Sequence, residues 1–193
     1  MAEQPPRDSR WWHYQQASRS LRAGAVWAYP TEAVWGLGCD PWNEAAVARV
    51  LSLKNRPMRK GLILVAAGTD QICALLAALP DAVQQEARSH WPGPTTVLLP
   101  DPAGLVPEWV RGQHDSVAVR VSAYEPVVSL CRAFGGPLVS TSCNPASRPP
   151  ARYSWQARRY FGAELDGCLP GQVAGQRRPS RILDPLSGQV LRG

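Results

Sequence analysis

The chain has 193 residues, of which 45% are hydrophobic and 19% charged, and its formal net charge is +6 at pH 7. This composition is typical of a globular protein, and the length fits one domain. The apolar runs are too short to span a membrane, no apolar signal core follows the polar N-terminus, and the five cysteines form no Cys-x-x-Cys pair. We therefore expect a cytoplasmic protein with free thiols, no metal centre of its own and no membrane association.

The predicted elements alternate between strands and helices through most of the chain. Apolar periodicity, capping residues and helix-stopping glycines and prolines predict helices over 11–23, 43–54, 69–79, 81–90, 126–134 and 154–161. Short apolar runs predict strands over 26–29, 62–66, 96–99, 117–121 and 138–141, with a closing hairpin over 181–183 and 189–191. This order predicts an α/β domain with a mixed sheet over residues 11–193, after a flexible segment of residues 1–10.

The segment that follows the first predicted strand carries the clearest functional signal. It reads Tyr-Pro-Thr-Glu-Ala-Val-Trp-Gly-Leu-Gly-Cys-Asp over residues 29–40. In open α/β sheets ligands bind at the carboxyl ends of strands, so a substrate pocket is expected here. Gly36 and Gly38 match no phosphate-loop or dinucleotide motif. A nucleotide-binding site in this chain would therefore use another arrangement.

The basic residues form clusters over 54–60, 148–159 and 177–181, which favours a polyanionic partner such as a nucleotide, pyrophosphate or RNA. Lys54 and Arg56 stand two residues apart where a helix ends. The compact charge of a lysine ammonium beside the planar donors of an arginine guanidinium suits a polyphosphate. Cations also stabilise a helix C-terminus without binding any ligand. Charge alone does not decide between an RNA-binding surface and an ATP pocket.

Polar residues also stand before, in or after three later predicted strands. Arg120 lies in the apolar run Val-Ala-Val-Arg-Val, where an arginine must be paired or face a cleft, so it is a candidate carboxylate clamp. The sequence Ser-Thr-Ser-Cys-Asn-Pro over 140–145 can line a phosphate, although turn chemistry also explains it. The sequence Trp-Pro-Gly-Pro-Thr-Thr over 91–96 predicts a rigid turn into a strand.

The joint order of these motifs, from Tyr-Pro-Thr-Glu to the Pro-Ser before the last strands, resembles the YrdC/TsaC family over residues 11–192. The resemblance implies a single-domain YrdC-like twisted mixed sheet with flanking helices and a concave basic cleft. It implies an L-threonylcarbamoyladenylate synthase, which joins L-threonine, bicarbonate or CO2, and ATP with release of pyrophosphate, for threonylcarbamoyladenosine modification of tRNA. The implied partners are Mg²⁺ held through the ATP phosphates, weakly bound tRNA and downstream threonylcarbamoyl-transfer enzymes.

The resemblance also assigns roles to individual residues. Thr31 and Arg120 match the residues that hold L-threonine, and Lys54 and Arg56 match a catalytic basic pair at the ATP phosphates. The other implied ATP-binding residues are Thr96, Ser140, Ser142, Asn144 and Ser180. Cys143 takes a position usually filled by alanine, and the histidine that longer members carry near the threonine is absent here.

Two other functions are compatible with the same residues. An RNA-binding module for tRNA or rRNA maturation could use the basic cleft without catalysis. A carbamoyl-transfer domain that adenylates carbamoyl phosphate is related in fold, although it belongs to a larger protein. Dependence on threonine and affinity for ATP that does not vary with salt would separate the synthase from both.

Overall fold

The computed structural model describes residues 10–176 and 180–192. Nine strands in these residues form one sheet: β1 (Trp27–Pro30), β2 (Trp35–Gly38), β3 (Ile63–Ala66), β4 (Thr95–Pro100), β5 (Ser116–Val121), β6 (Leu138–Ser142), β7 (Gly167–Cys168), β8 (Arg181–Leu183) and β9 (Val190–Arg192). The order across the sheet is β7-β1-β2-β6-β3-β5-β4-β8-β9. The pairs β1–β7, β3–β5 and β4–β8 are parallel and the others are antiparallel, which confirms the predicted mixed sheet.

The described helices are α1 (Trp11–Arg22), α2 (Glu44–Lys54), α3 (Cys73–Ala77), α4 (Asp81–Ser89), α5 (Glu108–Arg111), α6 (Glu125–Phe134) and α7 (Ser154–Phe161). Short 3-10 turns cover Met58–Lys60, Thr69–Ile72 and Gly162–Glu164. None of the helices in the described part of the chain is long and apolar enough to cross a membrane.

Local chemistry sets the limits of α2, which delivers Lys54 to the site. The Asn43 side chain accepts a hydrogen bond of 3.0 Å from the Ala46 N–H, which satisfies one of the unpaired donors at the helix start. At the other end Asn55 takes the left-handed conformation with φ of 47°. Pro57 then prevents a further helical turn. The chain therefore leaves α2 directly after Lys54 and turns toward the sheet.

Apolar side chains alternate between the two faces of the sheet. On β1, Ala28 belongs to one buried cluster, whereas Trp27 and Tyr29 belong to the other. Helices α1 and α6 supply Leu21 and Leu130 to the second cluster. Burying a side chain of this size stabilises a fold by about 1.5–3 kcal/mol relative to exposure. The sheet is thus held between two apolar layers.

Several predicted details are wrong. Residues 35–38 form β2, which pairs antiparallel with β1, where the sequence predicts only a loop after the first strand. The single helix predicted over 69–79 is a 3-10 turn followed by α3, and neither Thr69 nor Asp70 caps it. Ser154 is the first residue of α7 rather than its cap. Trp12, one of the apolar positions that predict α1, has 60% of its surface exposed.

Other predictions fall outside what the structure describes. The flexible segment predicted over 1–10 lies outside the described residues except for Arg10, and so do Arg177 and Arg178 of the third basic cluster. The domain boundaries therefore stay predictions.

Candidate active site

A pocket of about 280 Å³ lies between the β1–β2 turn, the strands β5 and β6 and the C-terminal part of the chain. Six of the nine predicted site residues line it: Thr31, Arg56, Arg120, Ser140, Ser142 and Ser180. Its described lining carries two arginines and one carboxylate, that of Glu32. The predicted basic character of the cleft as a whole stays a prediction.

The β1–β2 turn is closed by Thr31. Its N–H and its hydroxyl both donate to the carbonyl oxygen of Val34, at 3.2 and 2.6 Å. The carbonyl oxygens of Thr31 and Glu32 accept hydrogen bonds from the N–H groups of Ala174 and Gln176, at 3.2 and 3.1 Å. The turn is therefore held on both sides, and Thr31 is a buried residue that lines the pocket.

The two glycines of β2 allow close packing rather than phosphate binding. A Cβ on Gly38 would lie 2.1 Å from the carbonyl oxygen of Val139, and one on Gly36 would lie 3.0 Å from both Tyr29 and Thr31. A Cβ cannot approach a backbone oxygen so closely, so β2 lies against β6 and Tyr29 only because these positions lack a side chain. This packing brings the β1–β2 turn close to the end of β6.

Lys54 is 6% exposed and lies beneath the end of β6 rather than in the pocket wall. Its Nζ donates to the carbonyl oxygens of Ser142 and Asn144, the latter at 2.8 Å. The Ser142 hydroxyl and the Asn144 side-chain oxygen are each 3.4 Å from the same Nζ. Burial, with a smaller contribution from Arg56, lowers the Lys54 pKa to about 8, although Cys143 opposes the shift.

Asn144 holds the loop that follows β6. Its side-chain amide donates to the carbonyl oxygens of Pro145 and Arg148, at 3.0 and 2.7 Å. The Ala146 N–H donates to the carbonyl oxygen of Lys54 at 2.9 Å. Lys54 and Asn144 thus hold the backbone that presents Ser142 to the pocket, and neither is among the pocket-lining residues.

Arg56 lines the pocket from the segment after α2. Its Nε and Nη2 donate to the carbonyl oxygen of Gly61 at 3.1 and 2.8 Å, and Nη2 is 3.3 Å from the carbonyl oxygen of Lys60. Burial lowers the pKa of Arg56. These contacts fix one edge of a guanidinium whose planar fork suits phosphate oxygens.

Arg120 lies on β5 and is 8% exposed. Its Nη2 is 3.5 Å from Oε2 of Glu32, and Oε1 of Glu32 accepts a hydrogen bond of 2.7 Å from the Ser122 hydroxyl. The sequence predicts that this arginine is paired or faces a cleft, and it does both.

Thr96 and Ser180 connect β4 with the segment that leads into β8. Their hydroxyl oxygens are 3.0 Å apart, and Thr96 is fully buried behind Ser180. The parallel pairing of β4 with β8 places Thr96 opposite Ile182, which brings Ser180 to the pocket. Thr96 can therefore affect a bound ligand only through its neighbour.

Two polar residues at this site, Ser122 and Gln176, are not among the predicted site residues. Ser122 stands two residues after Arg120, and side chains two apart in a strand share a face, so this spacing could have indicated the contact with Glu32. Gln176 lines the pocket from an irregular segment with no local signal. Only the fold brings it there.

The pocket lining therefore combines two kinds of group. Thr31 and Arg120 suit a small ligand with a carboxylate, and Arg56 with the hydroxyls of β6 suits an anion such as phosphate. The model of the Sua5–YciO–YrdC family, whose description reads "Telomere recombination", matches residues 19–193. The chain belongs to this family.

Relatives in the Sua5–YciO–YrdC family are similar over nearly the whole chain. A protein of Marinobacter nauticus named threonylcarbamoyl-AMP synthase is 62% identical over 91% of this chain and 93% of its own length. The structure of a P. abyssi Sua5 variant superimposes with a TM-score of 0.85 at 29% identity. The structure of P. abyssi Sua5 in complex with L-threonine superimposes with a TM-score of 0.83 at 30% identity. These alignments cover 92% and 90% of this chain but only 54% and 51% of the Sua5 chains, so this chain spans about half their length.

Proposed function

We propose that this chain makes threonylcarbamoyl-AMP from L-threonine, bicarbonate or CO2, and ATP, and releases pyrophosphate. The product would supply the threonylcarbamoyl group for modification of tRNA. The near-full-length similarity to the M. nauticus synthase carries this proposal. A pocket lined by both kinds of group supports it, because the reaction needs an amino-acid site beside a triphosphate site.

The chemistry requires positioning more than a nucleophilic side chain. The threonine ammonium group first loses a proton to solvent, and the free amine adds to CO2 and becomes a carbamate with loss of a second proton. With bicarbonate as the carbon source, water leaves instead. A carbamate oxygen then forms a bond to the α-phosphorus of ATP while the bond from that phosphorus to pyrophosphate breaks. Holding both substrates in line and stabilising the leaving charge are the main contributions open to the protein.

Arg120 and Thr31 would hold the threonine end. The Arg120 guanidinium would donate to the substrate carboxylate, and a charged fork-to-carboxylate contact is stronger and more directional than a neutral one. Thr31 would bound the pocket opposite the arginine, on a turn that its own hydroxyl closes. The P. abyssi Sua5 complex with L-threonine is consistent with an amino-acid site in this fold.

Arg56, Ser140 and Ser142 would contact the nucleotide. Ser180 would contact it as well, and Thr96 would act through the hydroxyl of Ser180. Lys54 and Asn144 would act on the phosphates from behind the end of β6, Lys54 as a catalytic cation together with Arg56. Mg²⁺ would enter as MgATP, held through the ATP phosphates.

Pyrophosphate release tests this proposal. The rate should require ATP, L-threonine and bicarbonate together, and omission of any one should reduce it to background. Arg120→Lys keeps the charge but loses the planar fork, so kcat/KM for threonine should fall by about tenfold or more. Release that continues without threonine would contradict the proposal.

The RNA-binding alternative is not favoured by the similarity to the named synthases. Weak binding of tRNA and contact with the downstream transfer enzymes stay predictions. Binding of ATP that is insensitive to salt, beside RNA binding that weakens steeply with salt, would separate the pocket from any RNA-binding surface.

A further inference from the structure

Glu32 is the one carboxylate among the described residues that line the pocket, and the proposed reaction leaves it without a role. Glu32 is 7% exposed, and its backbone carbonyl oxygen accepts a hydrogen bond from the N–H of Gln176. Leaving a carboxylate buried is unfavourable unless a cation or hydrogen-bond donors compensate it. Its partners therefore indicate what it does.

Both partners of Glu32 come from β5 and its continuation. The Ser122 hydroxyl donates to Oε1 at 2.7 Å, and Ser122 is itself fixed because its oxygen accepts from the Tyr124 N–H at 3.1 Å. On the other side Oε2 is 3.5 Å from Nη2 of Arg120. Glu32 thus connects the β1–β2 turn to the arginine that would bind the substrate carboxylate.

The geometry distinguishes a positioning role from a general base. Oε1 is taken by Ser122, and Oε2 is buried with no hydrogen-bond partner among the described residues. A base must reach the proton that it removes, and Oε2, the oxygen that carries no hydrogen bond, is buried and lies 3.5 Å from Arg120. This geometry favours an action of Glu32 on the substrate through Arg120.

A guanidinium is rigid and planar, so holding one of its nitrogens fixes the direction of the others. Nε of Arg120 is also buried without a hydrogen-bond partner among the described residues, and the 3.5 Å ion pair of Nη2 with Glu32 is a charged contact that limits the orientation of the group. We propose that Glu32 is a positioning residue that fixes the Arg120 guanidinium for the carboxylate of the amino-acid substrate. This inference rests on the proposed function.

The sign of the effect makes the proposal testable. Removal of a negative charge beside Arg120 would by itself strengthen the binding of a carboxylate. If orientation is the role of Glu32, Glu32→Gln should instead weaken it. We expect the KM for threonine to rise by about tenfold, the effect of losing one charge-assisted contact, while the KM for ATP stays within about twofold.

Ser122→Ala leaves both charges in place and removes only the hydroxyl that holds Glu32, so it should raise the KM for threonine in the same direction by a smaller factor. Glu108→Gln is the matched control, because Glu108 is an exposed carboxylate outside the pocket. It should change neither the KM for threonine nor the KM for ATP. Circular dichroism checks that each variant is folded.

A double-mutant cycle separates positioning from a general structural role. In an Arg120→Lys background, Glu32→Gln should reduce the free energy of threonine binding by less than half as much as it does in the wild type. The reason is that the guanidinium that Glu32 orients is then absent. Threonine binding by calorimetry gives a second readout that does not depend on turnover.

A threonine KM in Glu32→Gln equal to or below that of the wild type would overturn the proposal, as would equal losses for threonine and ATP. If the wild type itself neither binds threonine nor needs it for pyrophosphate release, the proposed function fails instead.

Discussion

Lys54 shows how one buried side chain can organise a site without facing it. Its ammonium group lies among oxygens of Ser142 and Asn144, which compensate for the loss of water around a buried charge. The predicted contact of Lys54 with ATP phosphates stays a prediction. The observed contacts make it in addition a support for the end of β6, where Ser142 meets the pocket.

The lowered pKa of Lys54 predicts how stability depends on pH. Its pKa falls from 10.5 to about 8 on folding, so between these values the unfolded chain keeps a proton that the folded protein has lost. This difference makes the free energy of unfolding rise with pH, by at most about 1.4 kcal/mol per unit for one group. In urea titrations from pH 7 to 10, the free energy of unfolding of the wild type relative to that of Lys54→Met should therefore rise with pH.

Lys60→Met is the control for this titration. Lys60 is exposed, so Lys60→Met shows what the loss of a lysine charge outside the buried site does, and the rise with pH measured against Lys54→Met should be the larger of the two. A pH-independent difference between wild type and Lys54→Met would show that Lys54 keeps an ordinary pKa in the folded protein.

The β1–β2 hairpin is the element that carries Thr31 and Glu32. The sequence indicates its first strand but not its second, because glycine at two of four positions in β2 argues against a strand on propensity alone. What selects those glycines is the approach of Tyr29 and Val139, which a single sequence does not display. The prediction of β2 therefore failed at the positions that tertiary packing determines.

Gly38→Ala tests the close approach of β2 and β6. Its new Cβ would overlap the carbonyl oxygen of Val139 at 2.1 Å, so the strands must separate, and overpacking of this kind costs about 1–3 kcal/mol. We expect a lower denaturation midpoint and weaker threonine binding. Gly136→Ala is the control, since its Cβ would meet only Phe134 at 3.8 Å. Its denaturation midpoint and its threonine binding should equal those of the wild type within error. Equal stability of the two variants would exclude the proposed packing role.

At the scale of the whole molecule, the sheet brings together segments that are far apart in sequence. Antiparallel pairing of β2 with β6 places Gly36 opposite Ser142, and parallel pairing of β3 with β5 sets Arg120 level with Val65. The sequence predicts most strands, and six of the nine predicted site residues line one pocket, although their roles stay predictions. It does not predict the strand order, on which the contact between Glu32 and Arg120 depends, because register arises from packing between segments.

The most direct test of the account is the identity of the product. The protein would be incubated with ATP, L-threonine and ¹³C-bicarbonate, and the mixture analysed by mass spectrometry. We predict an adduct of threonine and AMP that carries one labelled carbon and is absent when any substrate is omitted. A threonine–AMP adduct without the labelled carbon, or pyrophosphate release with no adduct, would contradict the synthesis of threonylcarbamoyl-AMP at this site.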